Sequence, residues 1–202
     1  MKKFFLLYAI CLLIAIPIIA QDTIHVPLPD YQTIQEAINA ASNGDVILVA
    51  EGIYFENLQI ESKSVVLASH YLIDGDRSHI TNTTIDGSQP VNPDLASVIR
   101  VRWSIEPTVI CGFTINGGKG TKSPVGERVG GGINAVRSSV TICDNRIIDN
   151  TLIENEGAGG GGISIYPFEV ENLTIIVRNN LIDNNSKISY LKLTELKTFY
   201  CN

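Results

Sequence analysis

The 202-residue chain is short of the residues on which most polar chemistry rests. Histidine occurs three times, at His25, His70 and His79, in no metal-ligand spacing, and none follows His79. That leaves little basis for an imidazole-rich zinc site. No Gly-x-Ser-x-Gly elbow is present, so the usual seat of Ser-His-Asp catalysis is missing, and no glutamine follows Gln89. Basic residues number 15 against 21 acidic ones, for a net charge of -6, and they form no run. Such a chain is a poor partner for nucleic acid, whose binding rests on clustered Lys and Arg. Beyond residue 20 no apolar run is long enough to cross a bilayer, so no membrane span is expected in the mature chain. Of four cysteines, Cys11 lies in the N-terminal apolar run; Cys111, Cys143 and Cys201 are an odd number, which excludes a complete disulfide framework within one monomer. The acid clusters Asp74-Gly75-Asp76 and Ile85-Asp86-Gly87 read as turns. No catalytic, cofactor-binding or metal-ligating set is expected from these residues.

What is present begins at the N-terminus. Lys2 and Lys3 precede an apolar run, Phe4 through Ala20, that ends before Gln21-Asp22. This is the layout of a secretory signal peptide cleaved after Ala20, with an uncleaved anchor as the alternative. Ile10 is too large for lipoprotein processing at Cys11. The expected organisation is a signal peptide at 1–20, one domain at 21–186, and an aperiodic tail at 187–202. The tail is either a cap, through the weak stripe Ile188, Leu191, Leu196 and Phe199, or a truncated end. The expected location is secreted or cell-surface.

Self-similarity decides the fold. Ile110-Cys111-Gly112-Phe113-Thr114-Ile115 aligns with Ile142-Cys143-Asp144-Asn145-Arg146-Ile147 at an offset of 32, and that segment aligns with Ile176 through Leu181 at an offset of 34. Gly130-Gly131-Gly132-Ile133 recurs as Gly160-Gly161-Gly162-Ile163. Asparagines follow the apolar pairs in Ile147-Ile148-Asp149-Asn150 and Leu181-Ile182-Asp183-Asn184. Each unit holds only short apolar runs broken by Gly, Asn and Asp, too short for helices. Such units bury their apolar side chains by stacking, with equivalent strands parallel and ~4.8 Å apart. Asparagines are expected at the bends, where they tolerate left-handed backbone. The expected fold is all-β, a short single-stranded right-handed parallel β-helix; a β-sandwich is the alternative. Cys111 and Cys143 occupy equivalent positions, as an inward column or an outward pair, and are expected to be free, packed thiols because in-register parallel neighbours suit a disulfide poorly.

The start of the domain is legible too. Thr33-Ile34-Gln35-Glu36 is a capping box, and Ile34, Ala37, Ile38 and Ala41 share one helical face. Asn43-Gly44 stops that helix, and Val46-Ile47-Leu48-Val49 follows as a buried strand. A short N-terminal helix of this kind would cap the open end of a stack.

Tyr31 through Ala41, with Gly44 through Val49 and Gly52-Ile53-Tyr54-Phe55-Glu56-Asn57, resembles the start of pectin methylesterases and other pectin-lyase-fold proteins. Thr84-Ile85-Asp86-Gly87 and Gly112 through Ile115 continue the likeness. The Gly-Gly-Gly-Ile and Ile/Leu-x-x-Asn pairs resemble repeats of bacterial polymorphic outer-membrane adhesins. The resemblance covers the chain to Asn185 and implies the fold; it says less about activity. The esterases resemble one another in using an aspartic nucleophile and an aspartic acid/base, supported by glutamine and arginine. With Cys143 on the family's cysteine, Asn150 falls where the acid belongs, and an amide cannot deliver that proton; a one-residue slip would restore Asp149. The family's glutamines have no counterpart, and a polygalacturonase's Gly-His-Gly element is missing.

The leading expectation is therefore a secreted or cell-surface β-helix module, non-catalytic, that binds an extracellular polysaccharide or cell-surface glycan or acts as an adhesive scaffold. Tyr54, Trp103, Tyr166 and Phe168 are the candidate sugar platforms, each weighed against ordinary core or loop packing. The alternatives are a polysaccharide-active enzyme of pectin lyase or pectin esterase type, and an N-terminal fragment of a longer surface protein.

Overall fold

A computed structural model describes residues 21–124, 126–152, 159–168, 170–185 and 199–201. The expected signal peptide, residue 186 at the end of the expected domain, and residues 187–198 and 202 of the tail lie outside them. In chain order the elements are β1 (Thr23–Val26), α1 (Ile34–Ala40), β2 (Val46–Val49), β3 (Gly52–Tyr54), β4 (Leu58–Glu61), β5 (Val66–Ser69), α2 (Tyr71–Asp74), α3 (Ser78–Asn82) and β6 (Thr83–Asp86). There follow β7 (Leu95–Ala96), β8 (Ile99–Arg102), β9 (Thr108–Cys111), β10 (Thr114–Asn116), β11 (Gly120–Lys122), β12 (Arg128–Val129), β13 (Ile133–Val136) and β14 (Val140–Cys143). The last are β15 (Arg146–Ile148), β16 (Ile163–Tyr166), β17 (Ile175–Arg178), β18 (Leu181–Asp183) and β19 (Phe199–Cys201).

The chain is all-β in character and built on parallel sheets. The first sheet runs β1-β2-β5-β9-β14-β17-β19, the second β3-β6-β10-β15-β18, and the third β4-β8-β13-β16. From β2 to β18 the chain visits these three sheets in one repeating cyclic order, and every pairing within them is parallel. Residues 199–201 of the tail add β19 to the first sheet beside β17.

In-register pairing puts like side chains in line. Ile47, Leu67, Ile110 and Ile142 form one fully buried row across the first sheet. Ile85, Ile115 and Ile147 do so in the second, and Leu58, Ile99, Ile133 and Ile163 in the third. All belong to one core cluster, each side chain contributing about 1.5–3 kcal/mol by burial. The capping box forms as expected: Glu36 N–H donates to Thr33 Oγ1 (3.1 Å), and Thr33 N–H to Glu36 Oε2 (3.0 Å). The helix lies against β1, β2 and β4 with Ile34, Ala37 and Ile38 in the core, covering the end of the sheets.

Two expectations need correction. The register between β14 and β17 is 35 residues, not 34: Ile142 faces Val177, and Ile176 lies opposite Thr141. The bends also differ in detail. Left-handed backbone falls on Asp144, Asp149, Asn179 and Asn184, while the following residues, Asn145, Asn150, Asn180 and Asn185, turn inward and bond one another. An inward asparagine can bond the chain of the next circuit on both sides, which fixes the register more tightly than apolar contact does. Where Gly131 stands, a Cβ would lie 2.4 Å from Gly161 O, so the recurring glycines allow backbone to lie directly on backbone.

Among the described residues two additions interrupt the cycle. Helices α2 and α3 fold over the corner between the first and second sheets, and β7, β11 and β12 make a small antiparallel sheet beside the third.

Candidate functional site

The outward side chains of the third sheet form two rows. Gln59, Arg100, Asn134 and Ser164 make one; Glu61, Arg102, Val136 and Tyr166 make the other. Alternation in the strands produces this, since Ile60, Val101, Ala135 and Ile165 between them are buried in the core.

At the β4 and β8 end the face is charged. Glu61 Oε1 accepts from Arg100 Nη1 at 3.0 Å and from Arg102 Nη1 at 3.3 Å, and Arg100 Nη1 also donates to Gln59 Oε1 at 3.0 Å. Burial first, then Arg102, pulls the Arg100 guanidinium below the ordinary arginine range, with Glu61 acting in the opposite direction. Arg100 Nε and its register partner's Asn134 Oδ1 are both buried without a hydrogen-bond partner. Gln35, Asn39, Gln59, Glu61, Lys63, Leu95 and Arg100 line a groove of about 400 Å³ between α1 and this face.

At the other end the face is aromatic. Trp103 follows β8 and Arg137 follows β13, so the register sets them side by side. The Arg137 guanidinium stacks 4.6 Å from the Trp103 ring centroid and 4.2 Å from that of Phe168. Arg102 lies 5.6 Å from Trp103, and Phe168 packs at 5.4 Å against Tyr166. The rings stay open to solvent, with Trp103 at 42%, Phe168 at 39% and Tyr166 at 37% exposure. Trp103 (φ 60°), Arg137 (φ 52°) and Phe168 (φ 41°) all hold left-handed backbone, at a cost of roughly 1–2 kcal/mol each. Exposed cation–π contacts return about 0.5–1 kcal/mol apiece, so stacking offsets part of that strain. Ser62 (φ 56°), which follows β4, holds the same conformation, so the left-handed residue belongs to the bend itself.

Three of the four aromatic candidates from the sequence therefore share one surface. The fourth does not: the Tyr54 hydroxyl donates to Ala50 O at 2.9 Å, and its ring packs against the core. The arginines were missed, because a guanidinium between two rings depends on circuits that lie far apart in sequence.

The remaining sequence candidates resolve differently. Asn150, at the place of an esterase acid, is wholly buried; it accepts from Gly118 N–H (2.9 Å) and donates to Ile115 O (3.0 Å) and Asn185 Oδ1 (3.0 Å). Its surroundings are those of a structural residue. Asp149 is exposed and accepts from Asn184 Nδ2. Asp74, Asp76 and Asp86 each accept a backbone N–H two residues on, as turn residues do. His79 bridges Glu51 (2.9 Å) and Asp74 (3.1 Å), tying α2 and α3 to the body. Cys111 and Cys143 are free, buried register partners that pack outside the main core, the outward pair of the two arrangements. Comparison with protein-family models, curated proteins and solved structures finds no match to this chain.

Proposed function

We propose that the chain is an exported, non-catalytic module, a right-handed parallel β-helix that binds extracellular glycan on the outward face of its third sheet. The cyclic visiting order, the in-register parallel rows and the shared core support the β-helix. Lys2-Lys3 followed by the apolar run to Ala20 supports export. One observation carries the binding reading: Trp103, Arg137, Phe168 and Tyr166 form a continuous exposed stack beside the Glu61, Arg100 and Arg102 cluster. Aromatic faces take the apolar C–H faces of sugar rings, while guanidinium and carboxylate groups bond the hydroxyls. Among the described residues Arg100, Arg102 and Arg137 stand on this face with one carboxylate, Glu61, which pairs with Arg100 and Arg102, so this face favours glycans that carry carboxylates over neutral ones, although the chain as a whole is acidic.

The test is retention on a panel of immobilised polysaccharides, acidic and neutral. The wild-type chain is expected to bind at least one uronate-bearing polymer, and Trp103→Ala with Arg137→Ala to lose retention while staying folded. If no polymer retains the wild-type chain, the glycan reading fails.

A further inference from the structure

A second cluster stands apart from that face, at the corner between the first and second sheets. Cys111 and Cys143 end β9 and β14, point away from the core and are 4% and 3% exposed. Asp144 follows in left-handed conformation (φ 55°) and is itself 7% exposed. The two sulfurs and a carboxylate oxygen all lie within 4.8 Å of one another. Tyr71, on α2, packs against the small cluster that Ala68, Cys111 and Cys143 form. Gly112 makes this closure fit: a Cβ there would fall 2.5 Å from Ser69 Oγ and 2.9 Å from Tyr71 Cβ.

We propose that Cys111, Cys143 and Asp144 form a binding site for a thiophilic divalent cation, zinc by its chemistry. Zinc takes thiolates at about 2.3 Å and carboxylate oxygens at about 2.0–2.2 Å in a tetrahedron. Its ligand atoms then sit roughly 3.3–3.8 Å apart, a spacing the cluster reaches by a small inward shift of side chains. Two thiolates with a carboxylate select zinc over magnesium or calcium, which prefer oxygen throughout. The three ligands bring one more negative charge than the cation neutralises. Arg178, half-exposed with Nη1 3.9 Å from Asp144 Oδ2, offsets it from the solvent side. A cavity of about 200 Å³, lined in part by Arg77, Asn145, Arg146 and Asp144, adjoins the carboxylate's side of the cluster.

The cation's own charge displaces the protons of both thiols as it binds.

The test is titration of the reduced full-length chain with Co²⁺, in a Cys11→Ser, Cys201→Ser background that leaves only this pair. One Co²⁺ per chain is expected, with thiolate-to-cobalt charge transfer and the strong visible bands of tetrahedral cobalt, both discharged by Zn²⁺. Cys111→Ser and Cys143→Ser are expected to abolish the charge-transfer band, and Asp144→Ala, which keeps both thiolates, to weaken binding. A folded wild-type chain that shows no such band overturns the proposal, as does binding unchanged in both serine variants. So does peptide mapping that finds Cys111 and Cys143 joined in a disulfide in the protein as isolated.

Discussion

Asn180 Oδ1 accepts two hydrogen bonds from Asn145, one from the backbone N–H and one from side-chain Nδ2, both at 3.0 Å. Asn145 in turn accepts from Phe113 N–H (3.1 Å) and donates to Ile110 O (2.9 Å). Asn150 and Asn185 repeat the arrangement one corner further on. These asparagines join successive circuits across the turns, where strand pairing is interrupted. Asn145→Ala would orphan the buried Phe113 N–H and Ile110 C=O, at about 1–3 kcal/mol for each group. The expected result is a lower urea midpoint with an unchanged slope, a loss on the order of 3 kcal/mol. A loss below about 0.5 kcal/mol would show that the ladder adds little to stability.

Gly131 tests the stacking of backbone on backbone. A methyl there meets Gly161 O at 2.4 Å, and a carbonyl cannot rotate away as a side chain can. Gly131→Ala is expected to cost about 1–3 kcal/mol by overpacking, read in the same urea titration. An unchanged midpoint would mean that the two circuits do not approach so closely.

Trp103→Gly separates binding from stability. Glycine removes left-handed strain of roughly 1–2 kcal/mol but loses stacking of about 0.5–1 kcal/mol and adds freedom to the unfolded chain. Stability is expected to move by less than about 1 kcal/mol in either direction, while glycan retention disappears. Unfolding of the variant would mark the indole as a structural part and not a binding platform.

His79 supplies the pH dependence. Burial lowers its pKa, but the hydrogen bonds and charges of Asp74 and Glu51 outweigh that, so the folded value lies above 6.5. A raised folded pKa means the stabilisation is fully present below the unfolded value, near 6.5, and is lost as pH rises through the folded one. An NMR titration of the His79 ring is expected to show a midpoint above 6.5, falling in Glu51→Gln and in Asp74→Asn. A midpoint at or below 6.5 would contradict the clip between α2–α3 and the body.

Much of the architecture was legible because it rests on local residue patterns. The Thr33/Glu36 box, the buried strand at 46–49, the recurrence of Gly130 through Ile133 at Gly160 through Ile163, and the pairing of Cys111 with Cys143 all reappear in the structure. The one-residue slip at β17 arose because Asn179 and Asn180 are adjacent and either could match Asn145; only the inward geometry selects Asn180. The binding face was legible in part. Trp103, Tyr166 and Phe168 stood out as aromatics, but Arg137 became significant only once the register set it between two rings. Asp144 went unnoticed beside Cys143 because its approach to Cys111 depends on the pairing of β9 with β14.

Trp103 is the sole tryptophan, so its fluorescence reports on the proposed surface alone. Titrating the chain with a retained uronate-bearing polysaccharide is expected to change that emission saturably, and Arg137→Ala is expected to weaken the response at least 10-fold. Retention of the polymer with Trp103 emission unchanged to saturation would place the glycan elsewhere and contradict the assignment of this face.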